Sequence, residues 1–86
     1  MGFVNEVVPA SELMAGAMRW AQMIVACSPL AVQASKEVTL RGLERATLEE
    51  AIGGHYPSVD TLRSSADYRE GPLAFAQKRR PKWSGK

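Results

Sequence analysis

Ser28-Pro29-Leu30-Ala31-Val32-Gln33-Ala34-Ser35-Lys36-Glu37-Val38 decides how the rest of the chain is read. Ser28 is an N-cap residue whose hydroxyl can satisfy a free backbone N–H. Pro29 at the first helical position loses nothing by lacking its own N–H. Leu30, Ala31, Ala34 and Val38 then fall on one face at helical spacing. A helix is therefore predicted from Ser28 to Gly42, and the segments on either side share its pattern. Upstream, Leu13, Ala17, Trp20, Ala21 and Ile24 form one apolar face, with Ser11 as N-cap and Glu12 at the positive end of the dipole. Met14, Met18 and Val25 widen that face beyond what one neighbour would cover, and Met23 reads with them as core or interface filler.

Downstream, Thr47-Leu48-Glu49-Glu50 is a capping box opening a helix through Leu48, Ala51 and Ile52. Gly53-Gly54 weakens that helix and Pro57 breaks or kinks it. Residues 58–66 give no single answer, although Val59 and Leu62 are spaced for a further helical turn. Ser64 or Ser65, followed by Asp67 and Glu70, opens the last helix. Pro72 near its start puts the regular part from Pro72 to about Arg80, with Leu73, Phe75 and Ala76 partly buried. Before all these helices, residues 3–8 are rich in β-formers and end at Pro9, which suits a short strand or an extended arm. No second strand is available to pair with it.

The expected fold is thus mainly α. A strand or arm over residues 1–9 precedes three to four helices over 10–80 and a basic tail over 81–86, all in one domain. The chain has 86 residues, and a core of that size supplies roughly 3–5 kcal/mol without staples. One cysteine excludes an intrachain disulfide, and one cysteine with one histidine excludes an ordinary four-ligand zinc site. Self-association is then the obvious further source of buried area. No stretch reaches the ~20 apolar residues of a membrane helix, and the N-terminus lacks the basic and apolar regions of a signal peptide. The reading is a cytoplasmic protein with no membrane partner.

Charge is uneven. Residues 1–77 carry six basic and nine acidic side chains, whereas residues 78–86 carry five basic and none acidic. The net +2 is therefore a property of the tail, where Lys78, Arg79, Arg80, Lys82 and Lys86 lie beside Trp83. Cations next to an aromatic ring suit a phosphate and a base or apolar chain, although from charge alone the tail reads as a solvated basic terminus. The acidic remainder argues against nucleic acid. No catalytic constellation stands out. For His55 no positioned partner can be named from spacing and it reads as structural or exposed, Cys27 as a buried inert thiol, and Glu49-Glu50 as a helix-start feature.

Four segments, in order, resemble one family. Gly2-Phe3-Val4-Asn5-Glu6-Val7-Val8-Pro9 is similar to the Gly-hydrophobic-Val-Asn-x-Val-Val-Pro segment of the enoyl-CoA hydratase/isomerase (crotonase) family. Ser28 to Lys36 is similar to its Ser-Pro-x-Ala helix. Ser65-Ala66-Asp67-Tyr68-Arg69-Glu70-Gly71 matches its Ser-x-Asp-x-x-Glu-Gly. Residues 74–83 resemble its closing Ala-Phe-x-x-Lys-Arg-x-Pro-x-Trp. Gly53-Gly54-His55-Tyr56-Pro57 departs from the family by interrupting a helix that many members keep longer.

The resemblance implies the last strand and the C-terminal helical region of a crotonase-type protein, which in that family builds trimers and helps cover the acyl-CoA site. It implies that the catalytic core, with its oxyanion-hole N–H groups and carboxylates, lies outside these residues. The chain alone is then inactive, with no catalytic residue and no metal. No cofactor is tightly bound, and a coenzyme A thioester is the substrate of the whole protein. Its partners are the missing N-terminal core and further copies of itself, whose helices are open to exchange between chains. Phe75 and Lys78 are the positions where the family places an aromatic and a lysine near the CoA nucleotide. The alternative is a free-standing helical oligomerisation module without enzymatic activity.

Overall fold

The computed structural model describes residues 2–86. Five helices follow an extended arm: α1 (Leu13–Val25), α2 (Pro29–Gly42), α3 (Leu48–Gly53), α4 (Pro57–Ser64) and α5 (Ala66–Ala76). The protein is mainly α as expected, and no strand occurs among the described residues.

The arm takes the extended option. Glu6 ties it to α1 by accepting from the Trp20 indole N–H at 2.7 Å and from the Arg19 guanidinium. Val8 lies over Gly16, where an added Cβ would come 3.6 Å from a Val8 methyl. The predicted Ser11 cap is corrected. The Pro9 carbonyl accepts from the Glu12 N–H at 2.9 Å, so a 3-10 turn over Ala10–Glu12 absorbs Ser11, and α1 starts without a side-chain cap. A proline that leaves its carbonyl free and fixes φ nucleates that turn ahead of the serine.

The central helices obey their local signals. The Ser28 hydroxyl accepts from the Ala31 N–H at 3.4 Å, Pro29 is the first helical residue, and α2 ends at Gly42. Thr47 caps α3 through the Glu50 N–H at 3.2 Å. The Glu50 carboxylate reaches back one residue further than in a standard box, to the Ala46 N–H at 3.2 Å.

Pro57 opens α4 rather than breaking α3, which makes residues 58–64 helical and raises the helix count to five. Two interactions explain this. The Tyr56 hydroxyl donates to the Ala51 carbonyl at 2.6 Å and folds the chain back on α3. Glu37 of α2 then receives the Ser58 N–H at 2.9 Å and the Ser58 hydroxyl. α4 has no cap of its own, so a carboxylate from another helix satisfies its first turn and meets its positive end.

α2 packs on α3 and α4, and α4 on α5. The buried apolar residues are few: Ala34, Tyr56 and Ala74. The radius of gyration is 16.3 Å, against about 12 Å for a compact domain of this length. The accessible area is 7224 Å², against about 5,000 Å² for a compact protein of this mass. α1 carries several of the exposed apolar side chains. Leu13, Met14, Met18, Met23, Ile24 and Val25 are all exposed, so the widened face read from the sequence is unfilled within the chain.

Candidate functional site

The basic residues singled out above sit where α5 ends. Ser65 caps α5 by accepting from the Tyr68 N–H at 3.1 Å, while its own hydroxyl donates to the Leu62 carbonyl at 2.6 Å. The helix therefore begins at Ala66, six residues ahead of Pro72, and ends at Ala76 rather than near Arg80. Pro72 lies inside it, at a cost that isolated helices feel as about 3 kcal/mol. Ala74 is the position that turns inward, at 1% exposure, while Phe75 points outward at 86%. The expectation of a partly buried Phe75 is thus corrected: Ala74 lies two helical turns after the buried Asp67 and shares its inward face, which leaves Phe75 turned away from it.

The end of α5 is a Schellman closure. The Arg79 N–H donates to the Ala74 carbonyl at 3.0 Å and the Lys78 N–H to the Phe75 carbonyl at 3.1 Å. The residue in the left-handed region of such a closure is usually glycine. Here it is Lys78, at φ 53°, the one non-glycine residue with positive φ among those described. Left-handed backbone costs an ordinary residue about 1–2 kcal/mol. The same closure brings Phe75 and Lys78, the two candidate CoA-contacting residues, into one turn with both exposed. Among the described residues no carboxylate pairs with the Lys78 ammonium.

The tail after Lys78 is not a solvated terminus. It runs back along α5 as a strap. Glu70 accepts from Arg79 at 2.5 and 3.1 Å and from the Lys82 N–H at 2.8 Å. Asp67, only 3% exposed, accepts from the Ser84 N–H at 2.7 Å, the Ser84 hydroxyl at 2.9 Å and the Gly85 N–H at 2.8 Å. The Trp83 indole N–H donates to the Ala26 carbonyl at 2.9 Å, and the ring covers Gly71, where a Cβ would lie 3.4 Å away. Asp67 and Glu70 had read as helix-opening residues. Their i,i+3 spacing, which puts both on one face of α5, was the available signal that they act together.

Those carboxyls titrate low. The Arg79 guanidinium first, then the Lys82 N–H, holds Glu70 at about 2. The Ser58 hydroxyl and N–H, followed by Arg41, hold Glu37 at about 2. The Ser84 N–H leads the groups that lower Asp67. A carboxyl with a depressed folded pKa binds fewer protons folded than unfolded. Its stabilisation is complete above the ordinary value of 4.5 and is lost as pH falls through the folded value. In a Trp20→Phe background, Trp83 fluorescence should therefore hold steady from neutral pH to about 4.5 and change between about 4.5 and 2. A flat signal across that window would show that the carboxylates do not hold the strap.

Elsewhere the candidates separate. His55 is exposed and its Nε2 lies 2.5 Å from Asp60 Oδ2, at the rim of an open hollow between α2, α3 and α4. Cys27 is exposed, not buried, at the junction between α1 and α2, and its thiol donates to the Met23 carbonyl at 3.5 Å. Among the described residues no group of three potential metal ligands assembles, and no helix is long and apolar enough to cross a membrane.

Known proteins share this arrangement. The family described as enoyl-CoA hydratase/isomerase matches residues 1–86. Carnitinyl-CoA dehydratase of Escherichia coli is 45% identical over 92 aligned positions, covering 99% of this chain and 34% of that protein. The carnitinyl-CoA dehydratase of Salmonella typhi is 44% identical with the same coverage. Among solved structures, an enoyl-CoA hydratase/isomerase from Mycobacterium paratuberculosis superposes with a TM-score of 0.89 at 30% identity, over 99% of this chain and 33% of its own. An enoyl-CoA hydratase from Mycobacterium tuberculosis gives 0.87 at 29%, with the same coverage. The likeness thus spans the arm, all five helices and the strap, over about a third of each relative's length: the chain belongs to the enoyl-CoA hydratase/isomerase family.

Proposed function

We propose that these residues are the C-terminal helical region of a crotonase-type enzyme, acting in hydration, dehydration or isomerisation of an acyl-CoA thioester when joined to a catalytic core. In this reading the region assembles subunits and covers the acyl-CoA site, with Lys78 meeting a CoA phosphate and Phe75 offering a ring face to adenine or pantetheine. The protein works in the cytoplasm, where acyl-CoA substrates circulate, and binds no cofactor tightly. The observation that carries the contact is the turn at the end of α5, which presents an exposed phenyl ring and an unpaired ammonium together at some conformational cost. Strained backbone at an exposed cation is the kind of feature that recognition retains.

Catalysis belongs to the core in this reading, because oxyanion stabilisation is the largest catalytic contribution in acyl-thioester chemistry. The 86 residues alone should not turn over an enoyl-CoA. Turnover above a heat-killed control would refute that. In the native-length protein, Lys78→Ala should weaken CoA binding about tenfold, the worth of one hydrogen bond between charged groups. An unchanged affinity in a CoA titration would place Phe75 and Lys78 outside the site.

A second reading, a free-standing helical oligomerisation module, draws on the open apolar face of α1. The intact mass of the protein in its source cells separates the two. About three times 9.4 kDa supports the enzyme region, and 9.4 kDa supports the module.

A further inference from the structure

The strap that follows Lys78 does more than tidy a terminus. After α5 the chain reverses at Lys78 and returns along the helix, so that Lys82 meets Glu70, Ser84 meets Asp67, and the Lys86 carbonyl accepts from the Ala66 N–H at 2.9 Å. The reversal depends on one residue in a conformation unfavourable to any side chain, so neighbouring contacts must hold it there. Two backbone bonds of the Schellman closure hold one side.

Glu70 holds the other from a single carboxylate. Its Oε1 accepts from Arg79 Nη1 and from the Lys82 N–H, and its Oε2 accepts from Arg79 Nη2. It thereby grips the first and the fourth residue after Lys78 and closes a loop that begins with Lys78. The same contacts engage Arg79. Besides Glu70, its guanidinium donates to Gln77 Oε1 at 2.7 Å and to the Arg80 carbonyl at 3.2 Å. The Arg79 N–H groups are therefore turned inward, while the ammonium of Lys78 and the guanidinium of Arg80 have no carboxylate among the described residues.

We infer that Glu70 is a positioning residue for anion recognition by Lys78: it fixes the reversal that presents the ammonium. This rests on the reading that Lys78 meets a CoA phosphate. Both Glu70 carboxylate oxygens are taken up by these three donors. Its effect on binding must then pass through Lys78, and that dependence is measurable.

The test is a double-mutant cycle in the native-length protein, with CoA as the titrant and far-ultraviolet circular dichroism as the check on folding. Lys78→Ala sets the reference. Glu70→Gln should weaken CoA binding about fivefold in the wild-type background and add nothing in the Lys78→Ala background. Glu70→Asp, which keeps the charge but shortens the reach, should show about a twofold loss with the same dependence on Lys78, and it serves if Glu70→Gln does not fold. An equal loss in both backgrounds would mean that Glu70 acts on the fold alone, and no loss in the wild-type background would mean that it does not act on binding. Either overturns the inference. If Lys78→Ala alone leaves affinity unchanged, it is the underlying reading that fails, and this result is distinct from the other two.

Discussion

Tyr56→Ala should remove most of the stability that joins α2, α3 and α4. Tyr56 is 6% exposed and is the only large side chain among the buried apolar residues described; the others are alanines. Its hydroxyl closes the α3–α4 corner on the Ala51 carbonyl, and the Arg45 guanidinium sits 5.9 Å from its ring centre. Truncating a buried aromatic costs about 3–5 kcal/mol, as much as a small core supplies in total. Thermal unfolding followed by circular dichroism should then lose its cooperative transition. Tyr56→Phe keeps the ring and removes only the hydrogen bond, at about 1 kcal/mol. Gly54→Ala probes the same corner from outside. Its Cβ would stand 2.9 Å from the Tyr56 hydroxyl oxygen and 3.1 Å from the Glu50 carbonyl oxygen, so the corner must open. A loss of about 1–3 kcal/mol is expected. If both Tyr56→Ala and Gly54→Ala unfold like the wild type, the corner is not where the three helices are joined.

That corner also marks where sequence reading stopped. Ser28-Pro29 and Thr47-Glu50 were legible because each is a local signal: the hydroxyl and the N–H that it satisfies lie within three residues. Pro57 was not. Whether a proline ends one helix or starts the next depends on what satisfies the following turn, and here that is Glu37, twenty-one residues away on another helix. The same applies to α5. Pro72 argued locally for a late start, but the Ser65 cap and the strap held by Asp67 and Glu70 outweigh it.

The candidate site was half legible. The composition of the tail marked a cationic and aromatic region, and the family resemblance singled out Phe75 and Lys78. Neither could show that Lys78 occupies a position normally given to glycine, because backbone sign is not written in residue type. Nor did charge counting show that Arg79 is already engaged by Glu70. A run of cations looks uniform in sequence, and only the contacts show that the Arg79 guanidinium is engaged in the strap while other charges of the run, that of Lys78 among them, are without a carboxylate among the described residues.

The remaining large effect lies on α1, whose apolar face is left open within the chain. The excess area of about 2,200 Å² exceeds the roughly 800 Å² that one partner contributes to a standard interface. Cover on that scale is typical of contacts inside a domain or of an obligate assembly. Ile24 sits at the C-terminal end of the open face at 55% exposure, with Val25 beside it at 78%. Ile24→Asp should therefore have opposite consequences in two settings. In the isolated chain the new carboxylate faces water, and stability should change by less than about 0.5 kcal/mol, as for other surface substitutions. In the native-length protein the same carboxylate would be buried against apolar surface without a partner, and association should weaken about a hundredfold or more. Light scattering at micromolar concentration reads the second effect directly. A native-length Ile24→Asp protein with the mass and thermal midpoint of the wild type would mean that α1 stays open to solvent. The excess area would then have to be covered elsewhere, and the assembly role proposed for these helices would fall.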